Sequence, residues 1–170
     1  VNGLELKIDR DCENIFALLT PVAVDLRFVL AILKINSNLE RIGDIAEGSA
    51  KYIIDAEQTF KEELLDATKT ITMYDEAITI LETTLRAFET EDTALARSVF
   101  KKDESLDKIN INASSATAEY LKAHPEDITQ ALYNFSIIRK LERVGDQSKN
   151  IAEEIIFYLE AKVLKHRDKQ

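Results

Sequence analysis

Leu39-Glu40-Arg41-Ile42-Gly43-Asp44 and Leu141-Glu142-Arg143-Val144-Gly145-Asp146 are one hexapeptide written twice, with Val for Ile as the single change. The copies stand 102 residues apart, and the correspondence extends outward from them. At the same offset Leu30 matches Leu132, Ile35 matches Ile137, Ala50 matches Ala152, and Ile53-Ile54 matches Ile155-Ile156. A single match of this kind would be noise. Here each box lies behind one of the only two prolines, Pro21 and Pro125, and the pair marks an internal duplication.

The boxes belong to helices. Four glycines and two prolines in 170 residues cannot supply the turns of a sheet built from short strands, so the chain is all-α. Five helices are expected: Leu4 to Leu19, Thr20-Pro21 to Ala56, Lys61 to Phe88, Thr93 to Ala123, and Glu126 to Val163. Proline is tolerated in a first helical turn, and Thr90-Glu91-Asp92 reads as a break followed by a cap. In the last helix Ile138, Leu141, Gly145, Ser148, Ala152, Ile155 and Leu159 recur at intervals of 3 and 4, a narrow apolar seam for antiparallel packing. Residues 61–170 make a complete three-helix repeat. Residues 1–60 make an incomplete one that lacks its N-terminal helix in this chain, leaving a groove that a second copy or a partner is expected to cover.

Composition narrows the function. A net charge of −9 argues against gripping a phosphate backbone, so no nucleic acid is expected. No run of 18 apolar residues exists, so no membrane insertion is expected either. Cys12 alone cannot form an internal disulfide and reads as a small core-facing residue. Neither a Gly-x-Ser-x-Gly elbow nor a phosphate loop is present, and the chain reads as a binding protein rather than an enzyme. His124 and His166 read as plain surface residues, and Tyr52, Tyr120, Tyr133 and Tyr158 as core or interface aromatics.

Gly43 and Gly145 interrupt helices at equivalent points, each costing ~1 kcal/mol relative to alanine. Close approach of a neighbouring helix explains both. Glu142 and Asp146 lie one turn apart on one side of their helix, with Asn150 extending the line; Glu40 and Asp44 repeat the arrangement, and Asp103 with Asp107 adds a third pair. Such pairs repel unless neutralised, by a cation or by Arg41, Arg139 or Arg143; a solvated acidic face and a metal site both remain open on spacing alone. Oxygen-only donors favour Mg²⁺, Mn²⁺ or iron and disfavour zinc, and the absence of Glu-x-x-His argues against a ferritin-like centre.

The doubled box, with Asp25-Leu26-Arg27 opening the first of its helices and Asp103 and Asp107 on the helix before the second, resembles the PhoU family across essentially the whole chain. That resemblance implies tandem three-helix bundles and a cytoplasmic, homo-oligomeric adaptor. It implies partnership with a phosphate ABC transporter ATPase and a sensor histidine kinase, holding off the phosphate-starvation response. It also implies divalent or trivalent metal ions bound in each bundle. Carried over, the second site takes Asp103, Asp107, Glu142, Asp146 and Asn150, and the first takes Glu40 and Asp44, with Asn2 where an acid is frequent and Gly48 in place of a polar residue. The alternatives are a similar module serving a phosphate cotransporter, or a metal store or metalloenzyme.

Overall fold

The computed structural model describes residues 2–56 and 59–161, which form six α-helices. These are α1 (Asn2–Leu19), α2 (Ala23–Asp55), α3 (Glu62–Thr68), α4 (Thr70–Glu89), α5 (Thr93–Ala123) and α6 (Ile128–Glu160), with a 3₁₀ turn at Pro125–Asp127 leading into α6. Val163, the expected end of the last helix, and His166 lie outside the described residues.

The apolar pattern makes α6 the axis of the molecule, packed against α2, α4 and α5. Ile138, Leu141, Gly145, Ser148, Ala152 and Ile155 are buried, as their spacing requires, and Leu159 packs partly buried against the same core. The seam is broader than expected. Ile137, Val144, Ile151, Ile156 and Tyr158 are buried as well, because three helices rather than one surround α6. Ile138, Ile151, Ile155 and Ile156 are fully shielded from water, each contributing ~1.5–3 kcal/mol.

Polar pairs set the register of α2 against α6. Lys34 bonds Glu154 at 3.0 Å, and Asn150 donates to Asn38 at 3.4 Å, so the two helices run antiparallel. Extending that register sets Gly43 at the level of Gly145, so the two hexapeptides lie alongside each other near the crossing. α1 packs on α2, where Asn36 donates to Asp9 Oδ1 at 2.8 Å and Cys12 is buried. Leu4, Leu6, Leu18 and Leu19 of α1, with Val22 and Val24, are exposed.

Two boundaries depart from expectation. The second helix does not begin at Pro21 but at Ala23; positive φ at Thr20 (44°) and Ala23 (49°) turns the chain around the proline first. The third helix is two helices, because Lys69 adopts a left-handed conformation (φ 56°, ψ 33°) between α3 and α4. Side chains hold this break. Asn134, wholly buried on α6, accepts from Thr70 Oγ1 and donates to Thr68 Oγ1, both at 2.9 Å, while Thr68 Oγ1 bonds back to Leu64 O at 2.7 Å. The cap at Asp92 forms as expected: its Oδ1 accepts from Leu95 N at 2.9 Å, with Glu91 turned to φ 52°.

Asn134→Ala removes a donor and an acceptor from a dry site and takes one partner from each of two threonine hydroxyls, and it is expected to lower stability by ~1–2 kcal/mol. Urea unfolding midpoints measure this. An unchanged midpoint would mean that the break at Lys69 holds without Asn134.

Candidate metal centre

The better of the two expected sites lies where α5 crosses α6. Asp103 and Asp107 are one turn apart on α5; Glu142 and Asp146 are one turn apart on α6. Asp103 is 2% exposed, whereas Asp107, Glu142 and Asp146 are half-buried. Gly145 makes this possible. A Cβ there would overlap Asp103 Oδ1 and crowd Leu106 Cδ1 at 2.7 Å, so only glycine lets the carboxylate settle against the α6 backbone.

Charge in the cluster is unbalanced. Lys149 Nζ bonds Asp103 Oδ2 and also Asp146 Oδ1, the latter at 2.9 Å. Asp103 Oδ1 is buried with no hydrogen-bond partner. Burial pushes the Asp103 carboxyl above its ordinary range and the Asp107 and Asp146 charges push the same way, with Lys149 opposing. Glu142 is raised similarly, by burial and then by Asp146 and Asp107. Burial pulls the Lys149 ammonium down, but its bonds to Asp103 and Asp146 prevail and its pKa is raised. Four acids thus act on one another while one ammonium offsets them.

The donor set fits a hard cation: every donor is oxygen, the buried Oδ1 is unused, and Asp107 and Glu142 stand close enough to feel the others electrostatically. The oxygens are not drawn together around one point, however. Among the described residues the one group of three acid or histidine side chains with ligand atoms within 4.8 Å of one another is His124, Glu126 and Asp127. Asn150 divides its role, bordering a cavity with Asp146 and Lys149 while donating to Asn38. At the first site Glu40 is half-buried and Asp44 exposed, and no such group forms there among the described residues.

The sequence reading missed two features. Lys149 carries no signal along the chain beyond the i, i+3 spacing from Asp146; its reach to α5 is a tertiary fact. His124, expected as a plain surface residue, stacks on Tyr120 with centroids 4.5 Å apart and lies 3.8 Å from Glu63. Beside it, Asp127 is 6% exposed, accepts from Tyr120 Oη at 2.7 Å and pairs with Lys61 at 2.8 Å. Those bonds, Lys61 first, hold the Asp127 carboxyl below its ordinary value, and burial raises Tyr120 to about 12. Lys61 already supplies the cation here, so this cluster is a structural clasp at the end of the bundle.

A family model described as the PhoU domain matches residues 1–53 and 70–155. The chain belongs to the PhoU family. The matched segments hold α1, most of α2, α4, α5 and most of α6, so both hexapeptides and every candidate ligand fall inside the PhoU match. The chain is 30% identical over 166 residues to the phosphate-specific transport system accessory protein PhoU of Edwardsiella tarda, covering 98% of this chain and 68% of that protein. It is also 30% identical to PhoU homolog 1 of Thermotoga maritima, covering 97% and 71% respectively. The crystal structure of PhoU from Pseudomonas aeruginosa superposes with a TM-score of 0.87 at 31% identity, over 95% of this chain and 77% of that one. PhoU from Streptococcus pneumoniae gives 0.79 at 27% identity, over 96% and 76%.

Two measurements check these networks. Gly145→Ala gains ~1 kcal/mol of helix propensity but drives a methyl into Asp103 and Leu106, an overlap costing ~1–3 kcal/mol. The net expectation is destabilisation, seen as a lower urea midpoint; a higher midpoint would mean that α5 and α6 are free to separate here. At the far end, a folded pKa below the ordinary 3.8 means that Asp127 contributes stability above that value and loses it as pH falls through the lowered one. Asp127→Asn should therefore flatten the acid limb of the stability curve between about pH 5 and about pH 2, followed by urea midpoints. An acid limb identical to wild type would show that the clasp does not titrate.

Proposed function

We propose that this chain is a metal-binding regulatory adaptor of phosphate uptake, acting on the phosphate-starvation response through a phosphate ABC transporter ATPase and a sensor histidine kinase. The observation that carries the reading is Asp103: a buried carboxylate with a free oxygen, admitted by a glycine of the repeated box and facing two further acids, in a chain of the PhoU family. Membership ties it to relatives named as accessory proteins of phosphate-specific transport. Its proposed work is binding without turnover, since clustered acids offer no separate general base. No helix among the described residues is long and apolar enough to cross a membrane, and a place on the cytoplasmic side beside the transporter follows from this role.

Asp103, Asp107, Glu142 and Asp146, with Asn150 at the edge, would hold the ion, Mg²⁺, Mn²⁺ or iron in preference to zinc. Bound there, it would neutralise the α5–α6 seam. The surrounding acidic face, net −9 over the chain, suits a basic patch on a partner. Glu40 and Asp44 form a weaker second site in the 1–60 repeat, beside the complete repeat of 61–170, and a second copy of the chain is expected to complete the assembly.

Replacing Glu142 by Gln and Asp146 by Asn together should remove Mn²⁺ binding, read by calorimetry, and release a phosphate-starvation reporter in cells. Metal binding lost with repression intact would separate the ion from the regulation. Metal binding retained would place the site elsewhere.

A further inference from the structure

The carboxylate cluster already holds a cation of its own. Lys149 is three residues past Asp146 on α6, and its ammonium bonds Asp146 and, across the helix crossing, Asp103. We infer that Lys149 is a displaceable internal cation: it occupies Asp103 and Asp146, two of the acids that would hold the ion, and it must swing out before the ion can enter. The inference rests on the metal-binding reading above and concerns its regulation, since a built-in competitor sets the concentration at which the site fills.

Three observations support it. First, the ammonium satisfies Asp103 only in part. Asp103 is 2% exposed, its Oδ2 takes Lys149, and its Oδ1 is left without a partner in a dry site. An unmade bond to a buried charged oxygen is unfavourable, and a cation seated between Asp103 and the α6 acids would use that oxygen where the lysine does not. Second, a lysine is suited to leaving. Its charge is a compact point on a flexible four-carbon stem, whereas an arginine fork would lock onto both carboxylates. Third, there is somewhere to go. The Lys149 side chain is 26% exposed and borders a cavity of about 440 Å³ with Phe100, Gln147, Asn150 and Glu153. In the same cavity lining, Gln147 Oε1 is a buried acceptor without a partner.

This arrangement behaves as a two-state device. With the lysine in, α5 and α6 are tied together and two acids are offset. With an ion in, the same acids are held by the metal and Lys149 faces solvent. The folded bundle persists in both states, and only the identity of the cation changes.

The chelator-treated chain, wild type and Lys149→Met, would be titrated with Mn²⁺ alone by calorimetry and by the loss of the free-ion electron paramagnetic resonance signal, and melted with and without Mn²⁺. Removing the competitor should tighten Mn²⁺ binding about tenfold, while the metal-free variant melts below wild type and recovers with Mn²⁺. Equal or weaker binding by Lys149→Met overturns the inference and leaves the metal site standing. Binding by neither protein overturns both. Lys149→Arg provides the same test with the charge kept, should Lys149→Met fail to fold: binding weaker than wild type is expected, and binding as tight or tighter overturns the inference.

Discussion

A carboxylate buried where two helices cross demands positive charge and close backbone contact at once, and Asp103 imposes both demands on this molecule. The contact comes from Gly145, whose missing side chain is the space that Asp103 and Leu106 occupy. The charge comes from Lys149, on the next turn of the same helix. Remove the lysine and Asp103 is left uncompensated in a dry seam, a far larger penalty than a mid-helix glycine carries; add a side chain at position 145 and it takes the space of the carboxylate. The repeated box is thus explained in its second copy by a single steric and electrostatic requirement. The acids around it work against that requirement, since Asp107, Glu142 and Asp146 crowd a site that one ammonium cannot neutralise.

Away from this crossing, α6 is located by polar contacts spread along its length. Asn134 ties it to the break between α3 and α4, Asn150 and Glu154 tie it to α2, and Glu160 meets Arg97 of α5 at 2.8 Å. The apolar contacts alone would tolerate slippage, because Ala131, Ala152 and the many isoleucines present similar surfaces turn after turn. Sliding by one turn would orphan each buried polar group, at ~1–3 kcal/mol apiece. Burial drives the association, and these pairs select one register from several that would bury comparable area.

Much of the fold was legible along the chain, and the reason is local. Helices announced themselves by spacing, the Asp92 cap by residue type, and the duplication by identity at a constant offset. Where reading failed, the deciding partner was remote. Thr68-Lys69-Thr70 carries no glycine or proline, and the left-handed turn at Lys69 exists because Asn134, 64 residues beyond Thr70, bonds both threonines. Pro21 is a residue type that suits a first helical turn, yet the chain turns through Thr20 and Ala23 before α2 begins. For the candidate site, the i, i+4 acid pairs were visible from spacing, but the sequence alone could not say that Asp103 is the buried one, nor that Lys149 reaches it.

By itself, then, the amino-acid order determined helical class, the repeated hexapeptide, the helix carrying each acid and the need for close packing at Gly145, because periodicity, composition and backbone propensity act within a few residues. Only the tertiary structure decided which acid loses its water, which cation meets it, and which buried acceptors stay unpaired. Desolvation and ion pairing depend on what the neighbouring helices bring, and no stretch of one helix contains that information.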